Sequence, residues 1–372
     1  MAGAAKAFPV RARIAVGALV ALVVLLAALP SLLSDYALSS MLSVMSYLVL
    51  TVAWALFSST TRLVSLATSA FFGVGMYTVA RLIKVMPLYA TFAAALGGDA
   101  LLAFVVGVLT LRIAGMFFVI FGFGLSEMIR QLMAWWEINK THTMGRYVFV
   151  SFDATLIHEH LLSLAVLVFF VGWGLRRSRL GLALLVIGKD ETVARQVGIN
   201  MPFAKVTIFV VSAMFITMTG ALMAPRFGFI NPNFAFNPLV SFQVVIMAFL
   251  GGLQRLWGPV LGVVPLIILS EGLQTEFPFW FSILLGLVFM VIVYFLPRGV
   301  TGLFEDGWAA LGRPLEWPRG VTGPLIDTWV WLSRPVVLAR HSRRHRGHLG
   351  QNRAARERET LTRWPRCCRS RV

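Results

Sequence analysis

The sequence predicts an all-α, polytopic transmembrane bundle with about nine or ten spans, and three observations support this. The chain of 372 residues is 58% hydrophobic and only 13% charged, with a mean hydropathy of +0.80; an ordinary soluble domain is about 25% charged. Apolar runs long enough to cross a hydrocarbon core of about 30 Å recur along most of the length. Those runs are continuous and do not alternate as the strands of a barrel would.

In chain order the expected spans fall at about 14–33, 40–61, 64–84, 90–111, 115–136, 160–175, 203–225, 239–252, 258–274 and 279–296. Met1–Arg13 and the apolar run after it look like the start of a signal peptide. The run is about 20 residues long and no small-residue cleavage site follows, so residues 1–39 read as a cytoplasmic stub and a retained first span. With the N-terminus inside, Arg62, Arg112 and the cluster Arg176, Arg177 and Arg179 fall at cytoplasmic ends. Arg298 does too if 239–274 forms a pair of short helices that goes in and returns, and the C-terminus is then also inside. Arg81, Lys84, Arg146 and Arg226 are exceptions that this order places outside.

The 239–274 pair is the most irregular part of the membrane region. Gly251 and Gly252 end one apolar run, and Gly258, Pro259 and Gly262 open the next. The backbone groups freed at such a break need protein or water as partners. The pair reads either as broken helices lining a pathway or as a tight hairpin that only packs.

The formal net charge of +17 is unevenly placed, because residues 340–372 carry eleven Arg against two Glu. This tail has no apolar period and reads as disordered and attracted to anionic lipid, at about 1 kcal/mol per basic residue near the surface. Nucleic acid is excluded as a partner of the protein as a whole. Residues 305–339, with Trp308, Trp317, Trp329, Trp331 and several Pro, read as a juxtamembrane segment. Cys367 and Cys368 are the only cysteines, which rules out a cysteine-ligated metal in the core.

Between two spans lies a short polar stretch, GLALLVIGKDETVARQVG (Gly181–Gly198), that carries its own helix caps. Asp190 serves as N-cap and Glu191 puts a negative charge in the first turn. Arg195 lies four residues after Glu191 and near the C-terminus, and Gly198 supplies a left-handed C-cap. Val193 and Val197 share one face, with Ala194 beside them, and Arg176, Arg177, Arg179 and Lys205 flank the helix. It reads either as an ordinary capped loop helix or as an element that docks in the groove of a soluble partner.

Ionisable groups inside spans are functional suspects because burying them is costly. Glu127 and Arg130, at i, i+3, form one candidate intramembrane ion pair, structural or proton-carrying. Glu271 and Glu276 read as interfacial. His158, Glu159 and His160 lack the i, i+4 spacing of a zinc helix, and His142 reads as solvated. There is no Gly-x-Ser-x-Gly elbow and no Walker loop, so no bound cofactor is expected and any energy source must be a partner. Phe71, Phe72, Phe121, Phe123 and Ser241 are pathway-lining candidates by position. Asn231, Asn233 and Asn237 read as turn residues or as contacts for an external partner. Alternatives to a transport subunit are an enzyme acting on a lipid, which has only Asp153, His158, Glu159 and His160 to use, and a non-transporting scaffold.

Six segments together resemble the LivM-type permease subunits of branched-chain amino acid ABC importers. They are SAFFGVGMY (Ser69–Tyr77), LTLRIAGMFFVIFGFGLSEMIR (Leu109–Arg130), KDETVARQVGIN (Lys189–Asn200), AKVTIFVVSAMFITMTGALMA (Ala204–Ala224), FLGGLQRLWGPVLG (Phe249–Gly262) and LPRGVTGLF (Leu296–Phe304). The resemblance covers about 40–304, which is the expected permease domain. It implies that Glu191, Ala194 and Gly198 match the E-x-x-A-x-x-x-G pattern of the loop that docks into the ATP-binding subunit. It further implies two ATPase subunits that use ATP and Mg, a second related permease, a periplasmic or extracellular binding protein, and a bacterial inner-membrane location. The cargo implied is a branched-chain amino acid or a similar small polar amino acid or amide. The chain departs from the family's usual Gly-His at Ala67-Thr68, from its glycine-rich stretch at Thr141–Tyr147 and from its Gly-Ser at Gln254-Arg255.

Overall fold

The computed structural model describes residues 23, 25–31, 34–111, 116–148, 153–253 and 255–295. Most of the expected first span, Gln254, Leu296–Phe304, and the segments 305–339 and 340–372 lie outside the described residues. The elements are α1 (Asp35–Thr61), α2 (Thr68–Leu82), α3 (Leu88–Thr110), α4 (Met116–Thr141), β1 (Arg146–Tyr147) and α5 (Ala154–Arg177). They continue with α6 (Arg179–Lys189), α7 (Glu191–Gln196), α8 (Met201–Met223), β2 (Phe229–Ile230), α9 (Pro232–Ala235), α10 (Pro238–Gly251), α11 (Gly258–Glu276) and α12 (Phe281–Phe295). The strands form one antiparallel ladder that pairs Arg146 with Ile230 and Tyr147 with Phe229.

Among the described residues, seven helical segments are long and apolar enough to cross a membrane: α1, α3, α4, α5, α8, α11, and α10 taken with α9. The expected spans 64–84 and 279–296 are each shorter as helices. α2 and α12 have 15 residues each, about 22 Å at 1.5 Å per residue.

α8 sits at the centre, against α1, α2, α3, α5 and α6. It is apolar on every side, as a helix enclosed by other helices should be. Its start is fixed by Asn200, whose side chain accepts from the Phe203 amide at 3.3 Å. Phe209 fills the gap between α1 and α2, with ring centroids 5.2 Å from Phe57 and 5.6 Å from Phe71. α2 and α8 approach backbone to backbone. A Cβ on Gly75 would lie 2.1 Å from the Thr217 carbonyl, and one on Gly220 would lie 2.1 Å from the Phe72 carbonyl. Small residues are what allow helices to pack this closely in a membrane.

The bundle has two distinct ends. At one, α6 presses on the end of α1, so that a Cβ on Gly188 would lie 2.5 Å from the Thr60 carbonyl, and α7 follows directly. At the other, Arg226 donates to Ser39 at 2.7 Å and to Ser43 at 3.1 Å, tying the end of α8 to the start of α1. The β1–β2 ladder closes this second end.

Replacing Gly220 with Val forces a branched side chain into the Phe72 carbonyl, and overpacking of this kind costs about 1–3 kcal/mol. We expect a clearly lowered melting temperature for Gly220→Val in detergent. Gly124→Ala, at a helical position with nothing within 4 Å of the new methyl, should melt no lower than the parent.

Candidate functional site: a capped connector helix and a broken interior

α7 is fixed by its own caps. Asp190 accepts from the Thr192 amide at 2.7 Å and the Val193 amide at 3.4 Å. The Thr192 hydroxyl adds a further bond, and together these hold the Asp190 carboxyl below the usual carboxylate range. Gly198 takes φ +81°, and the Ile199 amide closes on the Ala194 carbonyl at 3.1 Å, the 6→1 bond of a Schellman cap. Ala194 is buried, whereas Val193 and Val197 are 44% and 71% exposed. The apolar stripe of α7 therefore faces away from the bundle.

The charge of Glu191 is taken by Lys205 and not by Arg195. Lys205 Nζ lies 2.6 Å from Glu191 Oε1, with the Lys205 side chain only 8% exposed. An ammonium buried at the first turn of α8 needs a counter-ion, and chain reversal at Ile199–Asn200 delivers Glu191 to it. The pair ties the connector helix directly to the central helix.

The interior is broken in two places. One is the expected site at Gly251–Pro259. Gly252 takes φ +92°, a Cβ on Gly251 would lie 2.2 Å from the Gly258 carbonyl, and one on Gly262 would lie 2.0 Å from the Met247 carbonyl. α10 and α11 therefore form a tight hairpin, positioned by the Tyr47 hydroxyl donating to Gln243 on α10.

The second break lies at the expected boundary between the spans 40–61 and 64–84 but reaches further than expected. Residues 62–66 are non-helical and a turn at Ala67 follows, so the first four residues of the expected span 64–84 are not helix. Trp54, about two turns before the end of α1, donates from Nε1 to the Ser65 carbonyl at 2.7 Å, so this segment runs back into the bundle. Ser126 bonds the Leu66 carbonyl at 3.3 Å, and Ser241 accepts from the Ser69 amide at 2.8 Å. Side chains of α1, α4 and α10 thus replace the bonds a helix would have made. Beside it lies a hole of about 10 Å³ lined by Trp54, Ser65, Thr68, Phe71, Phe209 and Ser212. The Thr68 hydroxyl oxygen is buried without a hydrogen bond among the described residues.

The lining candidates separate. Phe71, Phe72 and Ser241 are buried beside this break, whereas Phe121 and Phe123 are about 40% exposed on α4. Glu127 and Arg130 pair through Arg130 Nε at 2.9 Å. Glu127 also accepts from Gln131, and Arg130 also donates to Asn233, so the pair links α4 to α9. Asn231 and Asn237 cap α9 and α10. His158 is buried against the Leu26 carbonyl, while His160 bonds its own helix at Leu156, so the two rings do not converge. No group of three or more potential metal ligands is present among the described residues.

Sequence reasoning missed Asp99. It lies in α3, fully buried, facing Thr217 on α8, whose hydroxyl donates to the Phe71 carbonyl at 3.0 Å. Neither carboxyl oxygen makes a hydrogen bond of good geometry to a described residue. The available signal was a lone acid within a 23-residue apolar helix.

Spanning helices that enclose a broken, side-chain-bonded interior define a multi-pass membrane protein. Residues 36–293 match the permease component of the branched-chain amino acid transport system, and the chain belongs to this family. It is 26% identical over 321 residues to the high-affinity branched-chain amino acid transport system permease protein LivM of Escherichia coli, covering 76% of this chain and 74% of the relative. The LivM of Salmonella typhimurium is 25% identical, with the same coverage. The galactose/methyl galactoside import permease MglC of Haemophilus influenzae is 25% identical over 42% of this chain and 48% of its own length. The chain is thus a permease and not an enzyme.

Two predictions follow from the geometry. Asp190→Ala should speed amide hydrogen exchange at Thr192 and Val193, while Asp190→Ser should retain protection. Because the folded Asp190 carboxyl titrates below its unfolded value of about 4, its contribution is complete above that pH and is lost as pH falls through the lower, folded value. Protection at these amides should therefore hold at pH 5 and fade only in more acid solution. Separately, Asp99→Asn, isosteric and uncharged, should leave the melting temperature nearly unchanged. Asp99→Lys should prevent recovery of folded protein from the membrane.

Proposed function

We propose that this chain is the membrane-spanning subunit of an ATP-driven importer of a branched-chain amino acid or a similar small polar amino acid or amide. The observation that carries the reading is α7: a helix capped at both ends, anchored to α8 by Glu191 and Lys205, with Val193 and Val197 facing outward and uncovered. A rigid stub with an apolar face suits a groove on a soluble partner, here an ATPase subunit. Asp190, Glu191, Ala194, Arg195 and Gly198 make up the coupling element. The α7 end is cytoplasmic, both termini lie on that side, and the protein sits in the bacterial inner membrane.

In this reading, ATP binding closes two ATPase subunits, which push on the α7 helices of this chain and of a second, related permease. The push reaches α8 through the Glu191–Lys205 pair and reaches α2 and α3 through the packing of α8. The broken segments at 62–67 and at Gly251, Gly252, Gly258 and Pro259 flank the solute path. Non-helical backbone with polar partners is better able to rearrange than a continuous helix. A binding protein delivers the solute at the opposite end. With the first span, α2 and α12 included, the membrane domain has nine or ten passes. The ATPases hold ATP and Mg, and this chain holds no cofactor.

The test is co-expression with candidate ATPase subunits. Glu191→Lys sets two ammonium groups against each other and should abolish co-purification, or uncouple ATP hydrolysis from uptake, while the permease stays folded. Full assembly and uptake in that variant would refute the coupling role.

A further inference from the structure

Two of the basic residues that break the expected charge bias line one cavity. At the end of the bundle away from α7, a cleft of about 330 Å³ opens between α2, α4 and β1, lined by Val74, Tyr77, Arg81, Met133, Trp136, Glu137 and Arg146, among others. At roughly 30 Å³ per water-sized group, it has room for a solute of about ten non-hydrogen atoms. Glu137 is 2% exposed and its charge is already engaged. It accepts from the Gly145 amide at 2.8 Å, from the Tyr77 hydroxyl at 3.3 Å and from Arg146 Nε at 3.3 Å. Arg81 is exposed and lies over the face of Trp136, 5.6 Å from its centroid. It makes no ion pair with a described residue. A guanidinium stacked on an aromatic face keeps its N–H edge free, and that edge fits a carboxylate with two parallel hydrogen bonds.

We propose that this cleft is a reception site for a small solute with one carboxylate and a compact apolar body. The carboxylate binds Arg81, and the body lies against Trp136, Met133 and Val74. Two guanidinium groups against one carboxylate leave one positive charge for the solute to neutralise, so the cleft selects an anionic oxygen pair over a cation. Glu137 and Arg146 act as the rigid floor, held by the Gly145 turn and the β1–β2 ladder. This deepens the permease reading, and rests on it for the assignment of this end to the external side. An anionic lipid head group offers similar chemistry, and the test separates the two.

The measurement is equilibrium binding of radiolabelled isovalerate to the full-length chain, without ATPase subunits, in phosphatidylcholine nanodiscs. Isovaleramide, the same shape without the charge, serves as competitor. Isovalerate should bind saturably and isovaleramide at least ten times more weakly. Arg81→Gln should remove the difference and Arg81→Lys restore part of it; both substitutions are at an exposed position that leaves the Glu137 cluster intact. Absence of saturable binding, equal binding of acid and amide, or unchanged binding in Arg81→Gln would overturn the proposal. So would loss of isovalerate binding when phosphatidylglycerol replaces phosphatidylcholine, which would assign the cleft to lipid. No ATPase enters this measurement, so its failure is distinct from failure of the coupling role tested through Glu191.

Discussion

The backbone contact between α2 and α8 is the constraint on which the rest of the structure depends. With Gly75 against the Thr217 carbonyl and Gly220 against the Phe72 carbonyl, the two helices meet without intervening side chains. That proximity lets Phe209 reach both Phe57 and Phe71, and it brings Thr217 within reach of the Phe71 carbonyl. α8 becomes the element that touches most of the others. Near its start, Lys205 meets Glu191, so the connector helix is joined to the element with the widest packing.

A second constraint is that main-chain groups inside hydrocarbon must find partners. The chain gives up helix at 62–67 and at the α10–α11 turn, and the partners are supplied differently. At the first break they are side chains: Trp54, Ser126 and Ser241. At the second, glycines let two backbones close on one another. A segment held by side chains from three helices responds when those helices move relative to one another, which suits it to a gate. A hairpin closed by backbone contact at glycines suits a hinge or a wall.

What could be read from sequence follows the range of the forces involved. The caps of α7 are local: Asp190 acts on amides two and three residues away, and Gly198 on its own φ angle, so both were legible. So was the break at Gly251–Pro259, because glycine and proline carry it. At 62–67 the boundary at Arg62 was legible from its charge, but the extension through Val64–Ala67 contains neither glycine nor proline, and only tertiary partners reveal it. Glu191 chose Lys205 over the nearer Arg195 because burial of the ammonium, a property of the folded chain, outweighs spacing on a helix. Asp99 was hidden by the apolar run around it. Arg81, Glu137 and Arg146 come from three elements, and only the packing of α2 on α4 and the strand ladder bring them together.

The central claim is that α7 is the cytoplasmic handle of the bundle, seated on a separate ATPase. Its most direct test is site-directed cross-linking from Val193→Cys, in a chain whose Cys367 and Cys368 are first replaced by Ser. In membranes that also carry the ATPase subunits, the thiol should cross-link to an ATPase. It should also resist a membrane-impermeant thiol reagent added to intact cells. Labelling by that reagent from outside, with no cross-link formed, would contradict the account.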